Sequence, residues 1–108
     1  MAKYMLLIYV DCNDPSREAE FNYWYNNTHL PDLMKFPAIS YAARYVNNDP
    51  QPGPGKFLAT YDVESDDIDK TIAELKDYLA KLRESGRYSE LLVRVSFNVF
   101  RQTKTVKK

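Results

Sequence analysis

The chain is poor in the residues that build the commoner kinds of site. It has one cysteine and one histidine in 108 residues. A single thiol excludes an internal disulfide and fits a reducing cytoplasm. One imidazole cannot supply the three or four ligands of a zinc site. Cys12, Asp11, Asp14 and His29 show no ligand spacing, so no metal is expected. Glycine is scarce too, with three residues. Gly53 and Gly55 sit among prolines, not in a loop whose backbone N–H groups could cradle a phosphate. Charge of one sign is also missing: Lys plus Arg is 15 and Asp plus Glu is 15. A nucleic-acid-binding domain normally carries a basic excess, so nucleic acid is not an expected partner. The longest apolar run, Tyr4 to Val10, has seven residues, whereas a membrane helix needs about 20. That run lacks a small-residue cleavage site and passes straight into folded-looking sequence, so it reads as a strand, not a signal peptide.

What is present is an ordinary globular balance, 44% hydrophobic and 28% charged, with an excess of aromatics. Nine Tyr, five Phe and one Trp make up 14% of the chain. Tyrosine has an apolar body and a polar tip, which suits half-wet pockets and interfaces, although most of these rings are expected to pack a core.

Periodicity divides the chain into six elements. Lys3–Asp11 is apolar without alternation, as in a strand buried on both faces. Asp14 and Pro15 form a helix start. Phe21, Trp24, Tyr25 and Thr28 then mark one helical face, which His29 continues. Pro31 disfavours helical geometry at Leu30, so the helix is expected to stop or kink there, with Pro31–Lys35 as a separate short turn. Ile39–Asn47 alternates with period two, placing Ile39, Tyr41, Ala43 and Tyr45 on one face. Asn47–Gly55 is a Pro- and Gly-rich hairpin tip. Lys56–Glu64 alternates again, with Phe57, Ala59, Tyr61 and Val63 together. Ser65 or Asp66 opens a second helix, whose stripe is Ile68, Ile72, Leu75, Leu79 and Leu82, and Gly86 closes it. Leu91–Arg101 is the last strand, with Leu91, Val93, Val95, Phe97 and Val99 on one face.

The order β-α-β-β-α-β is the ferredoxin-like arrangement, an α+β fold with a four-stranded antiparallel sheet and both helices on one face. Residues 1–103 read as one domain and 104–108 as a polar tail. The other sheet face is expected to carry Arg44, Thr60, Asp62, Arg94, Ser96 and Asn98, with little Lys or Glu. Such a face is covered most economically by a second copy of the chain, sheet against sheet. An open sheet facing water is the competing reading. On the dimer reading Arg44 and Arg94 are contacts across the interface, with anion binding as their alternative role.

The run Phe21-x-x-Trp24-Tyr25-x-x-x-His29-x-Pro31, followed by Phe36-Pro37 and Arg44-Tyr45, resembles the EthD-type branch of the dimeric α+β barrel proteins. The element order matches over most of the chain and the motif over Phe21–Tyr45. Ala38 departs from the pattern, where glycine is expected after Pro37. The resemblance implies a homodimeric barrel with a pocket between each sheet and its helices. Relatives in the wider superfamily include cofactor-free oxygenases, polyketide cyclases, isomerases and haem enzymes, so it implies fold more firmly than activity.

His29 is the one side chain whose ordinary pKa, near 6.5, suits proton transfer close to neutrality. Tyr25 lies one turn earlier on the same face. His29 and Tyr25 are therefore the expected catalytic pair, with Phe21, Trp24, Tyr41, Tyr45 and Tyr61 as the expected substrate-binding wall. The competing readings are that His29 caps its helix or hydrogen-bonds a loop carbonyl before Pro31. A haem would have His29 as its only good axial candidate, but no cofactor is expected. Cys12 reads as structural or incidental, not as a nucleophile.

Two functions fit this pattern. One is a small cofactor-independent enzyme acting on an apolar carbonyl- or phenol-bearing molecule, of polyketide cyclase, isomerase or oxygenase type, with His29 as general acid or base. The other is a non-catalytic dimer that binds a hydrophobic small molecule or serves as an accessory protein.

Overall fold

A computed structural model of residues 1–108 gives four strands and two helical layers in the expected order. The strands are β1 (Ala2–Cys12), β2 (Ile39–Val46), β3 (Phe57–Ser65) and β4 (Leu92–Arg101). They form one sheet in the order β2-β3-β1-β4, and every neighbouring pair is antiparallel. This is the ferredoxin-like α+β fold. None of its helices is long and apolar enough to cross a membrane.

The first helical layer does not stop at Leu30. A 3₁₀ turn at Pro15–Arg17, capped by Asp14 through Ser16 N–H, leads into α1 (Glu18–Trp24). A π-helical turn, Tyr25–His29, then passes directly into α2 (Leu30–Met34). In the π turn Leu30 N–H bonds the Tyr25 carbonyl, five residues back. Pro31 has no N–H to give, and its ring would press on a carbonyl one turn earlier in a tight helix. The widened turn relieves that clash and carries the helix past the proline, which corrects the expected break.

The second layer is α3 (Ile68–Glu84), whose Asp67 side chain accepts from Lys70 N–H. Asp67 is the cap in place of Ser65 or Asp66, while Ser65 supports the turn through Asp67 N–H and Thr71. Gly86, at φ +79°, ends the helix. Its N–H bonds the Arg83 carbonyl and Arg87 N–H bonds that of Leu82, which satisfies two otherwise orphaned carbonyls.

Two bulges decide which residues face the helices. In β2 the register against β3 shifts between Ile39 and Tyr41. Ile39 points inward, but beyond Ser40 the phase flips, so Ala42 and Arg44 pair with the inward-facing Tyr61 and Ala59. In β4 the register against β1 shifts where Tyr9 opposes Ser96 and Val10 opposes Arg94, which leaves Val95 extra. Leu92 and Arg94 thereby join Phe97 and Val99 on the inner face. Arg44 and Arg94 are thus on the helix side of the sheet, contrary to their expected place on the outer face. Tyr41 and Tyr45 move the other way, to the outer face, where they are 55% and 53% exposed. That face also carries Met5, Leu7, Tyr9, Leu58 and Phe100, interrupted by Thr60, Asp62, Ser96 and Asn98.

The core lies between the inner face and the helices. Leu6, Val10, Phe21, Tyr25, Ala59, Tyr61, Val63 and Leu75 are at its centre.

Candidate active site

The helical stripe and the inner sheet face do not close completely over each other. They leave a cavity of about 310 Å³. Leu6, Ile8 and Val10 of β1 form its floor, and Leu75 and Leu79 of α3 form one wall. The polar lining comes from Tyr25, His29, Tyr61, Arg83, Tyr88 and Arg94. Larger depressions elsewhere, such as one of about 720 Å³ beside Tyr4 and Ile72, are more open and contain no histidine.

His29 is 6% exposed. Its ring stacks on Trp24 at 4.8 Å and meets the edges or faces of Tyr25 at 4.8 Å and Tyr88 at 5.2 Å. These aromatic surfaces clamp the imidazole plane. None of the side-chain hydrogen bonds engages its nitrogens, so the readings of His29 as a helix cap or as a partner of a loop carbonyl do not hold. Burial pushes the His29 pKa down to about 4, with Asp32 pulling weakly upward and Arg44 downward. At neutral pH the ring is uncharged. Its unprotonated ring nitrogen can accept a proton, as a weaker base than an ordinary imidazole because burial disfavours the charged form.

Tyr25 Oη and Tyr61 Oη lie 3.3 Å apart. Burial raises both phenol pKa values, so both hydroxyls stay protonated. Two hydroxyls share two protons. One proton serves their mutual bond and the other is free to be donated into the cavity. Arg44 backs this pair, with Cζ 4.2 Å from the Tyr25 ring centroid. Its terminal nitrogens donate to Asn22 Oδ1 at 3.0 Å and Asn26 Oδ1 at 3.1 Å.

The loop after α3 holds the opposite wall. Arg87 donates from Nε to Asp32 Oδ2 at 2.9 Å and from a terminal nitrogen to Asp32 Oδ1 at 3.0 Å. Its carbonyl accepts from Trp24 Nε1 at 3.0 Å. One residue therefore ties down both Trp24 and the turn that follows His29, and it sets Tyr88 against the imidazole. Arg87 holds the Asp32 carboxyl below its ordinary range, more strongly than burial raises it.

No protein-family model and no curated protein matches the sequence. Solved structures do. HapK from Hahella chejuensis aligns over 97% of both chains with a TM-score of 0.72 and 12% identity. An ethyl tert-butyl ether D (EthD) family protein from Bacillus halodurans C-125 aligns over 95% of this chain and 100% of its own, with a TM-score of 0.58 and 16% identity. A candidate monooxygenase from Shewanella loihica PV-4 aligns over 96% and 97%, with a TM-score of 0.63 and 16% identity. The chain has the EthD-like dimeric α+β barrel fold. At these identities the likeness establishes fold, not activity.

Within the EthD-like fold the expected site residues separate into three groups. His29, Tyr25 and Tyr61 meet at the cavity. Phe21 and Trp24 lie behind it: Phe21 packs in the core 5.9 Å from Phe57, and Trp24 supports the back of His29. Neither lines the cavity. Tyr41 and Tyr45 are on the far side of the sheet, because the Ser40 bulge reverses the alternation that predicts them as wall residues. Tyr88, Arg83 and Arg94 were not expected at the site. Tyr88 sits in a loop with no periodicity to expose it. Arg83 lies four residues after Leu79, at the edge of the α3 stripe, and was legible only as a neighbour of that stripe. No three His, Cys, Asp or Glu side chains gather anywhere to hold a metal ion.

Proposed function

We propose that this protein is a small enzyme that works without metal or organic cofactor on an apolar molecule bearing a carbonyl or phenol, with His29 as general base. One observation carries the reading: a neutral, aromatic-clamped imidazole faces a cavity beside a tyrosine pair that has one hydroxyl proton to give. A substrate carbonyl hydrogen-bonded by Tyr25 or Tyr61 is polarised, and His29 takes a proton from the adjacent carbon. The C–H electron pair moves into the enolate, whose oxygen the tyrosine pair stabilises. The resulting imidazolium returns its proton at a second carbon in an isomerisation. In a cyclisation it protonates the alkoxide formed when the enolate carbon attacks another carbonyl. Oxygenation would use the same anion with molecular oxygen as oxidant, and the Shewanella neighbour supports that variant.

The test is proton abstraction itself. In D₂O, exchange of the α-protons of 2-tetralone is followed by NMR. The wild type accelerates it, and His29→Ala lowers the protein-dependent rate by about 10²–10⁴-fold while retaining the dimer and ligand binding. Tyr25→Phe slows it to a smaller degree. Unchanged exchange in His29→Ala removes the imidazole from the mechanism. A second reading, a non-catalytic carrier of hydrophobic molecules, draws on the absence of any group hydrogen-bonded to His29 to orient it. Binding without exchange in the wild type would favour that reading.

The working unit in this proposal is one domain, residues 1–103 with a short tail, paired as a homodimer through the outer sheet faces. The row Tyr45–Leu58–Tyr9 and the apolar members of the row Tyr41–Asp62–Met5–Phe100 support that pairing. A reducing cytoplasm suits the free thiol of Cys12.

A further inference from the structure

The open end of the cavity is electrostatically one-sided. Arg83 and Arg94 line it, and no Asp or Glu does. Two other arginines are paired with carboxylates, whereas Arg44 bonds asparagine oxygens. Arg87 takes Asp32, and Arg17 takes Glu20 and Glu90. Arg83 and Arg94 have no carboxylate within salt-bridge distance and no hydrogen-bond partner. Glu90 shares the adjoining cleft with both, but Arg17 engages its carboxylate at 3.1 Å.

Both guanidiniums are nevertheless held by walls of the cavity. Arg83 Cζ lies 4.8 Å from the Tyr88 ring centroid and Arg94 Cζ lies 5.4 Å from that of Phe97. Tyr88 and Phe97 themselves line the cavity, so the two cations sit on its rim. They also act together on the Tyr88 phenol, where their charges oppose the rise that burial causes. Two positive charges from different elements, α3 and β4, thus line one side of an apolar hollow that has no carboxylate among its lining residues. The β4 bulge is what brings Arg94 there.

We infer that Arg83 and Arg94 form a carboxylate clamp at the mouth of the His29 cavity, so the natural ligand is an apolar molecule with a single carboxylate. The inference deepens the proposed function and rests on it, because the cavity must admit a ligand at all. The apolar body lies over Leu6, Ile8 and Val10, its reactive end reaches His29 and Tyr25, and its carboxylate stays at the rim between the arginines. Guanidinium is the suited partner, since its planar donors match a carboxylate and its face stacks on an aromatic ring.

The sole tryptophan, Trp24, stacks on His29 and reports occupancy by fluorescence. The probes are 2-naphthoate and its methyl ester, which share an apolar body and differ in charge. The wild type is expected to bind the acid about tenfold tighter than the ester, with the difference shrinking as salt rises. In Arg83→Gln/Arg94→Gln the acid falls to the affinity of the ester, while ester binding persists and shows that the cavity is intact. Equal affinity for acid and ester in the wild type overturns the clamp and leaves the pocket standing. An acid preference that survives the double substitution also overturns it. If neither probe perturbs Trp24, the cavity does not admit ligands, and the clamp falls together with the proposed function.

Discussion

Arg87→Ala is the sharpest structural perturbation the site offers. It deletes both hydrogen bonds to Asp32, at 2.9 and 3.0 Å, and takes the counter-charge from a carboxylate that is 4% exposed with Arg87 in place. Removing one member of a fully buried pair is strongly destabilising. The Arg87 side chain is 49% exposed, so water screens part of the effect and the loss is smaller, a fall in Tm of several degrees for a domain of this size. Urea melts followed by Trp24 fluorescence measure the cost directly. The pH dependence identifies the cause. The folded pKa of Asp32 lies below its unfolded value near 3.9, so the pair's stabilisation is complete above that value and is lost as pH falls through the folded one. In the variant burial dominates and that contribution is absent. The gap between wild type and variant should therefore be full at pH 7 and narrow below about pH 4. An unchanged Tm, or a gap that stays constant from pH 7 to pH 3, would refute the view that Asp32–Arg87 holds the wall beside His29.

Two further outcomes follow from the same geometry. The His29 ring should titrate near pH 4 by NMR. Because its folded pKa is below the ordinary 6.5, stability should fall as pH drops from 6.5 towards 4, by about 3 kcal/mol in total, and His29→Gln should remove that slope. A midpoint near 6.5 would show that the ring is solvated. At the outer face, Tyr41→Glu/Phe100→Glu places charges at the two ends of one row and should convert a dimer to monomer in light scattering, without loss of fold. A wild-type monomer, or a variant that remains dimeric, would contradict pairing through this face.

Much of the fold was legible because its elements are regular. The α3 stripe, the Asp14–Pro15 start, the Gly86 stop and the Pro-rich hairpin each carry a local signal, and element order then gives the topology. The phase errors have one physical source. A bulge adds one residue and reverses every side chain beyond it, yet Ser40 and Val95 look like ordinary members of an alternating run. That is why Tyr41 and Tyr45 fall away from the wall that plain alternation predicts for them, and why Arg44 and Arg94 face the helices instead of the outer side. The helix through Pro31 was hidden for a related reason: a π turn absorbs the proline clash and leaves no compositional mark. His29, Tyr25 and Tyr61 survived because the first two precede the π turn's exit on one helical face, and Tyr61 lies on a strand whose inward set runs unbroken from Phe57 to Val63. Tyr88 became visible only once Arg87 had fixed its loop.

The most direct test of the account is a crystal structure of the purified protein grown with 2-naphthoate, read for electron density in the His29 cavity. The account predicts a flat ligand over β1, with one edge against His29 and Tyr25 and its carboxylate between Arg83 and Arg94. Side chains collapsed into the hollow, or the imidazole turned out into bulk water, would contradict it.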